Sequence, residues 1–288
     1  MGQARCHFCK GYCMELSVRE NGSVNGSIVR RLGRAGLITK GTLYCLLGAL
    51  AFMAAFHIGG QSTEETDRGG ALRTIKDLPA GNILLGAVVL GLLCYCLWRL
   101  VQVFGDTEDK GDGAKGWAAR LRYLFSALTY GSVAFVAARL LFSDSPKKDG
   151  QEAVAKQILD KPFGQVLAFV VAGIFIGIAI YQFYYAAKGK YRKHAGAASN
   201  GSGSSLLLLS GKIGYTARGI VWLLLGFLFG RAAVHARAHE AGDTSKAFSL
   251  LENAGYGPWL LAAIGLGLIC YGLFNFVRAR YDDLDGKQ

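Results

Sequence analysis

The sequence predicts an all-α membrane protein. Six transmembrane helices form three tandem two-helix repeats in a pseudo-threefold arrangement, with short amphipathic helices in the outer loops. Three observations lead there. Hydrophobic residues make up 52% of the chain and mean hydropathy is +0.28, high for a soluble domain. Six apolar stretches, approximately 36–57, 81–104, 122–142, 163–187, 211–234 and 257–278, each have the roughly 20 residues that a 30 Å hydrocarbon layer requires. They are apolar all round, which excludes a soluble helical bundle with polar outer faces. The third observation is that the chain matches itself.

GLITKGTLYCLLGAL (36–50) returns as GYTARGIVWLLLGFL (214–228) and, more weakly, as RYLFSALTYGSVAFV (122–136). Gly36, Lys40, Gly41, Tyr44 and Gly48 match Gly214, Arg218, Gly219, Trp222 and Gly226. In the middle copy Arg122 stands in the Gly36 place, Ser126 in the Lys40 place, Ala127 in the Gly41 place and Tyr130 in the Tyr44 place. A second apolar segment follows each copy and also repeats, with Ala87 and Gly91, Gly173 and Gly177, and Ala263 and Gly267 each four apart. Four residues on come Tyr95, Tyr181 and Tyr271. Such self-similarity defines a repeat architecture. The organisation is a polar tail without compact structure (1–31), repeat one (32–105), repeat two (117–190), a basic and Ser/Gly-rich linker (191–209) and repeat three (210–281).

In the tail, Cys6, His7, Cys9 and Cys13 resemble a metal knuckle. Structural zinc sites commonly use two well-separated ligand pairs, so four ligands within eight residues match poorly. The alternative is that translation starts at Met14. No metal or other cofactor is expected, and no cleavable signal peptide is visible.

The net charge is +12. It is spread unevenly between the two sides of the six spans: 21 Lys and Arg against 9 acids on the side of both termini, 11 against 11 on the other. That asymmetry places both termini on the cytoplasmic side of the membrane. It points to membrane-surface electrostatics and anionic headgroups, not to nucleic acid. Lys188, Lys190, Arg192 and Lys193 form the densest basic cluster and are the headgroup candidates.

Within the spans, Lys40 and Arg218 lie about one turn inside the cytoplasmic ends, from where a long side chain snorkels to the headgroups. Tyr44, Tyr130 and Trp222 sit one turn further in, as an aromatic belt or as bundle packing. The sharper reading of these cationic and aromatic residues is an ion or anionic-ligand pathway. Arg139 and Arg231 align at the outer ends, as interfacial anchors or as a basic mouth favouring anions. Tyr95, Tyr181 and Tyr271 either converge about the threefold axis as a ring of phenols or each bond across its own hairpin. The three loops on the side away from the termini carry Leu72, Ile75 and Leu78; Val154, Ile158 and Leu159; and Phe248 and Leu251 at helical spacing. These predict amphipathic helices on the surface or tucked between spans, with Lys76 and Glu252 on solvated faces.

With those residues in place, the repeat resembles a bacterial integral-membrane family built from the domain of unknown function numbered 1206. The resemblance covers residues 32–281 and implies three units and six spans, but no activity. No carboxylate lies deep in a span, and neither a nucleophile triad nor a phosphate loop occurs. His235 and His239 with Glu240 suit a metal only weakly. The sequence therefore points to a non-catalytic lipid- or partner-binding membrane component, with other membrane subunits as possible partners. The alternative is a channel or small-solute transporter with a path along the bundle axis, lined by Thr42, Thr129 and Ser132.

Overall fold

The computed structural model describes residues 9–58, 62–63, 66–104, 113–142, 164–192, 204–235, 244–252 and 255–281, with side chains from Ile28 onward except those of Lys115 and Ser204. These residues form helices and no strand: α1 (Cys9–Ala55), α2 (Arg68–Lys76), α3 (Gly81–Phe104), α4 (Ala114–Phe142), α5 (Gly164–Ala187), α6 (Ser204–His235), α7 (Thr244–Glu252) and α8 (Gly257–Tyr281). Six segments are long and apolar enough to cross a membrane: Ile28–Ala55, Gly81–Phe104, Gly116–Phe142, Gly164–Ala187, Ser205–His235 and Gly257–Tyr281. Helix α1 also extends back from its span into the segment expected to be a polar tail.

Local chemistry sets the breaks. Past the end of α1, His57 turns left-handed at φ 52°. Asp67 caps α2 by accepting from the Gly70 amide at 2.6 Å, a side chain doing what the orphan amides of a first turn require. Before α3, Pro79 and a left-handed Ala80 (φ 62°) reverse the chain.

The six spans pack by one rule applied three times. The first helix of each repeat lies along the second helix of the repeat before it: α4 on α3, α6 on α5, and α1 on α8. That cyclic pattern is a pseudo-threefold ring. Small residues make the approach possible, since packing rather than hydrophobic exclusion drives helix association in lipid. Between α1 and α8, a Cβ at Gly41 would stand 2.9 Å from the Gly272 carbonyl, and one at Gly265 would stand 2.7 Å from the Gly48 carbonyl.

The two helices within a repeat also pack in repeats one and three, α1 against α3 and α6 against α8. There Gly36 abuts the Tyr95 backbone and Gly214 the Tyr271 backbone, with a Cβ meeting Cα atoms at 2.6 Å and 2.5 Å. Gly91 lies against Thr39 and Gly267 against Ala217. Repeat two differs: α4 does not pack along α5. The cause is legible in the residues. Arg122 replaces the close-approach glycine, and Phe125 fills the Thr39 and Ala217 place. Neither lets the second helix come near. Gly173 and Gly177 accordingly meet no atom of the described residues within 4 Å. The small-residue pairs therefore mark helix approaches in two repeats and, among the described residues, an open face in the third.

The loop helices are tucked in. Ala71, Leu72 and Ile75 of α2 and Ala247 and Phe248 of α7 are buried, while Leu78 is exposed. Lys76 and Glu252, expected on solvated faces, are both engaged. The Lys76 ammonium donates to the Leu140 carbonyl at 2.9 Å. Glu252 accepts from the Thr63 hydroxyl at 2.7 Å and lies 3.5 Å from His57 Nε2. The Val154, Ile158 and Leu159 segment lies outside the described residues. Because the His57 side chain is 72% exposed, His57→Gln is expected to change stability by less than about 0.5 kcal/mol. Thermal unfolding in detergent checks this.

Candidate functional site

The chemistry collects halfway along the spans, where the two close glycines bring Tyr95 and Tyr271 onto the first helices of their repeats. Lys40, one turn on from Gly36, faces inward and is 3% exposed. It does not snorkel, which corrects the expectation for it. Its ammonium lies 5.3, 5.1 and 5.4 Å from the ring centres of Tyr95, Tyr130 and Tyr271 and 3.4 Å from the Tyr95 hydroxyl. The negative faces of three phenol rings thus do inside the bundle what headgroup water would do at its surface. Each such contact is worth about 0.5–2 kcal/mol. Together they offset only part of the several kcal/mol that burying a charge costs.

Arg218 occupies the Lys40 place in repeat three and enters from the opposite side. Its Nη1 donates to the Tyr271 hydroxyl at 2.6 Å, and its guanidinium lies 5.6 Å and 5.0 Å from the Tyr44 and Tyr271 ring centres. The rings pack edge to face, Tyr44 with Tyr271 and Tyr95 with Tyr130, each pair at 4.8 Å. Two further arginines close the cluster. Arg99 Nε donates to the Tyr95 hydroxyl at 3.0 Å. Arg68, the first residue of α2, donates through Nη2 to the Tyr44 hydroxyl at 3.4 Å. The Tyr44 oxygen also accepts from the Tyr130 hydroxyl at 3.3 Å, and Tyr95 and Ser126 share a bond of 3.3 Å. No carboxylate pairs with Lys40, Arg68, Arg99 or Arg218 among the described residues.

The threefold ring of phenols does not form. Tyr95 and Tyr271 are 0% and 1% exposed, but Tyr181 is 39% exposed, because repeat two never closes. Arg122 Nη1 donates to the Tyr181 hydroxyl at 2.7 Å across the open hairpin. Tyr130 takes the third place beside Lys40. Arg139 and Arg231 lie on the surface, each over the phenylalanine one turn back, at 5.9 and 6.0 Å. They do not join the interior cluster. Lys188, Lys190 and Arg192 are exposed where α5 ends, and Lys190 lies 4.6 Å from the Tyr184 ring centre. Lys193, the Cys6, Cys9 and Cys13 side chains, and the His239 and Glu240 pair fall outside the described residues. Groups of three or more His, Cys, Asp or Glu able to hold a metal are absent among the described residues.

Arg68 and Thr244 escape a reading of the sequence. Both lie in loop segments, and only the tucking-in of α2 and α7 carries them to the centre. Two small cavities lie at this cluster. One has a volume of about 20 Å³ and is lined by Tyr44, Arg68, Arg218, Trp222 and Thr244, among others. The other, of about 10 Å³, lies beside Tyr44, Arg68 and Tyr130.

A family model described as Domain of Unknown Function (DUF1206) matches the chain three times, at residues 35–106, 121–189 and 213–282. The chain belongs to the DUF1206 family. It is 29% identical over 257 residues to "Uncharacterized protein YxxB" of Bacillus subtilis (strain 168), covering 89% of this chain and 92% of that one. No solved structure matches it. The three DUF1206 matches coincide with the three two-helix units, and every member of the cationic–aromatic cluster falls inside one of them. The site is thus assembled from the repeats themselves and not from the segments joining them.

Proposed function

We propose that this multi-pass membrane protein is a non-catalytic component that binds lipid or a partner membrane subunit, with the open side of repeat two as the binding face. One observation carries the reading: among the described residues Tyr44, Tyr95, Tyr130 and Tyr271 are buried at the centre of the bundle, while α4 does not pack along α5. A path for solute needs a continuous polar cavity, and the two cavities beside Tyr44 have volumes of only about 20 Å³ and about 10 Å³. A single water needs some 10–15 Å³. Thr42 and Thr129 spend their hydroxyls on carbonyls one turn back in their own helices, and Ser132 on the carbonyl three residues back. They line no path.

The open face supports the binding side of the proposal. Gly173 and Gly177 offer the small-residue surface that the other repeats use to seat a helix, and small residues let a backbone or an acyl chain approach closely. Arg122 stands at the edge of that face. With both termini on the cytoplasmic side of a bacterial inner membrane, Lys188, Lys190 and Arg192 lie at the inner leaflet. There each charge attracts anionic headgroups by about 1 kcal/mol.

Purified protein reconstituted into liposomes is expected to pass ions and small neutral solutes no faster than empty vesicles. Native mass spectrometry is expected to find anionic lipid or a partner subunit retained, and less of it in a Gly173→Leu, Gly177→Leu variant. Flux above the empty-vesicle control would decide for the channel or transporter instead.

A further inference from the structure

We infer that the cavity bounded by Arg68, Arg218, Tyr44 and Thr244 is a binding site for a single monoatomic anion of the halide class, chloride in the cell. The site goes beyond the role proposed above and stands or falls separately from it.

The first ground is charge. Lys40, Arg68 and Arg218 converge on Tyr44 and its neighbours at mid-span with no carboxylate partner among the described residues. Asp67, next to Arg68 in the chain, accepts from the Gly70 amide as the cap of α2. Cation–π contacts do not neutralise charge; they only lower its cost. A buried set of cations is stable when an anion joins it.

The second ground is an orphaned donor. Arg218 Nε–H is buried and has no hydrogen-bond partner. Arg218 lines this cavity, and a buried donor left unsatisfied costs about 1–3 kcal/mol. Tyr44 points the same way. Its oxygen accepts from both Arg68 and Tyr130, which leaves its own proton to donate. Thr244, the first residue of α7, adds a hydroxyl at a helix N-terminus, the positive end of that helix. The side chains lining the cavity that can hydrogen-bond are thus all able to donate to an anion: two guanidiniums, a phenol, an alcohol and the Trp222 indole.

The third ground is size. About 20 Å³ is room for one water-sized species, which favours a monoatomic ion over a phosphate or a lipid headgroup.

The test uses the full chain in detergent, exchanged into sodium gluconate and titrated with sodium bromide, chloride or sulfate at constant ionic strength. Thermal unfolding is followed by tryptophan fluorescence. Bromide and chloride are expected to raise the midpoint saturably, by several degrees at millimolar concentration; sulfate is expected to leave it unchanged. Arg218→Gln and Thr244→Val should weaken the halide effect at least tenfold in concentration, and the surface variant Arg139→Gln should keep it. Anomalous scattering from bromide-soaked crystals of the unsubstituted protein should place the ion between Arg68 and Arg218, and this reading does not depend on the variants folding. A linear response shared with sulfate would overturn the inference. So would a bromide-free cavity, or tyrosinate absorbance at neutral pH with no halide effect, since the chain would then balance the charge itself.

Discussion

Gly36→Val and Gly214→Val are each expected to lower the unfolding midpoint in detergent by about 5–10 °C, while Gly173→Val and Gly177→Val leave it within about 2 °C. The four glycines all lie in apolar spans, and propensity alone would rank them together. Space separates them. A Cβ at Gly36 would sit 2.5 Å from the Tyr95 Cβ, and one at Gly214 would sit 2.5 Å from the Tyr271 Cα. Backbone cannot yield as a side-chain tip can, so the helix pair must part. Overpacking of this kind costs about 1–3 kcal/mol or more, and 1 kcal/mol moves the midpoint by some 2–4 °C in a chain of this size. At Gly173 and Gly177 nothing of the described residues lies within 4 Å, and valine is a slightly better helix former than glycine. The parting of α1 from α3 would also pull Tyr95 from Lys40 and expose the buried charge. The valine variants at Gly36 and Gly214 should therefore lose tyrosine–lysine contact as well as stability. Equal shifts at all four glycines would contradict the packing described here.

The same glycines explain what the sequence discloses and what it hides. The repeats, the six spans and the inward face of Tyr95 and Tyr271 follow from a recurrent spacing of small and aromatic residues, and spacing is written in the chain. Lys40 is different. Its distance from the apolar segment's start suggests a snorkelling anchor, because the alternative looks too costly when the partners are unknown. The partners are Tyr130 from repeat two and Tyr271 from repeat three, and no local pattern announces that they meet there. They meet because each repeat's first helix docks on the preceding repeat's second helix, a cyclic arrangement that identical units permit but do not spell out. Arg68 and Thr244 are more remote still. The loop helices that bear them show only an apolar face, and an apolar face is equally satisfied on a membrane surface or between spans. The failure of Tyr181 to join the ring was, by contrast, open to reading: an arginine in a glycine's place and a phenylalanine in a threonine's place are visible substitutions with a steric consequence.

That consequence can be reversed. Arg122→Gly combined with Phe125→Thr restores at repeat two the residues that seat α3 on α1, where Gly36 and Thr39 receive Tyr95 and Gly91. The double variant is expected to bring α5 onto α4. Spin labels at Leu128 and Ile174, both exposed on the two helices, should then report a distance several Å shorter than in the unsubstituted protein. Packed helices lie about 8–10 Å apart between axes, and α4 and α5 are not in that contact. The change removes the Arg122 bond to the Tyr181 hydroxyl, which frees the tyrosine to turn inward. Closure would remove the face proposed to bind lipid or a partner, so retained lipid should fall in the same variant. Phe125 also lies 6.2 Å from the Trp222 ring centre. Its loss leaves a gap beside repeat three, and Phe125→Thr alone should destabilise by about 2–4 kcal/mol. Arg122→Gly alone isolates the steric argument: relieving only the arginine should shorten the label distance in part. An unchanged distance in both variants would mean that something other than these two side chains holds the second hairpin open.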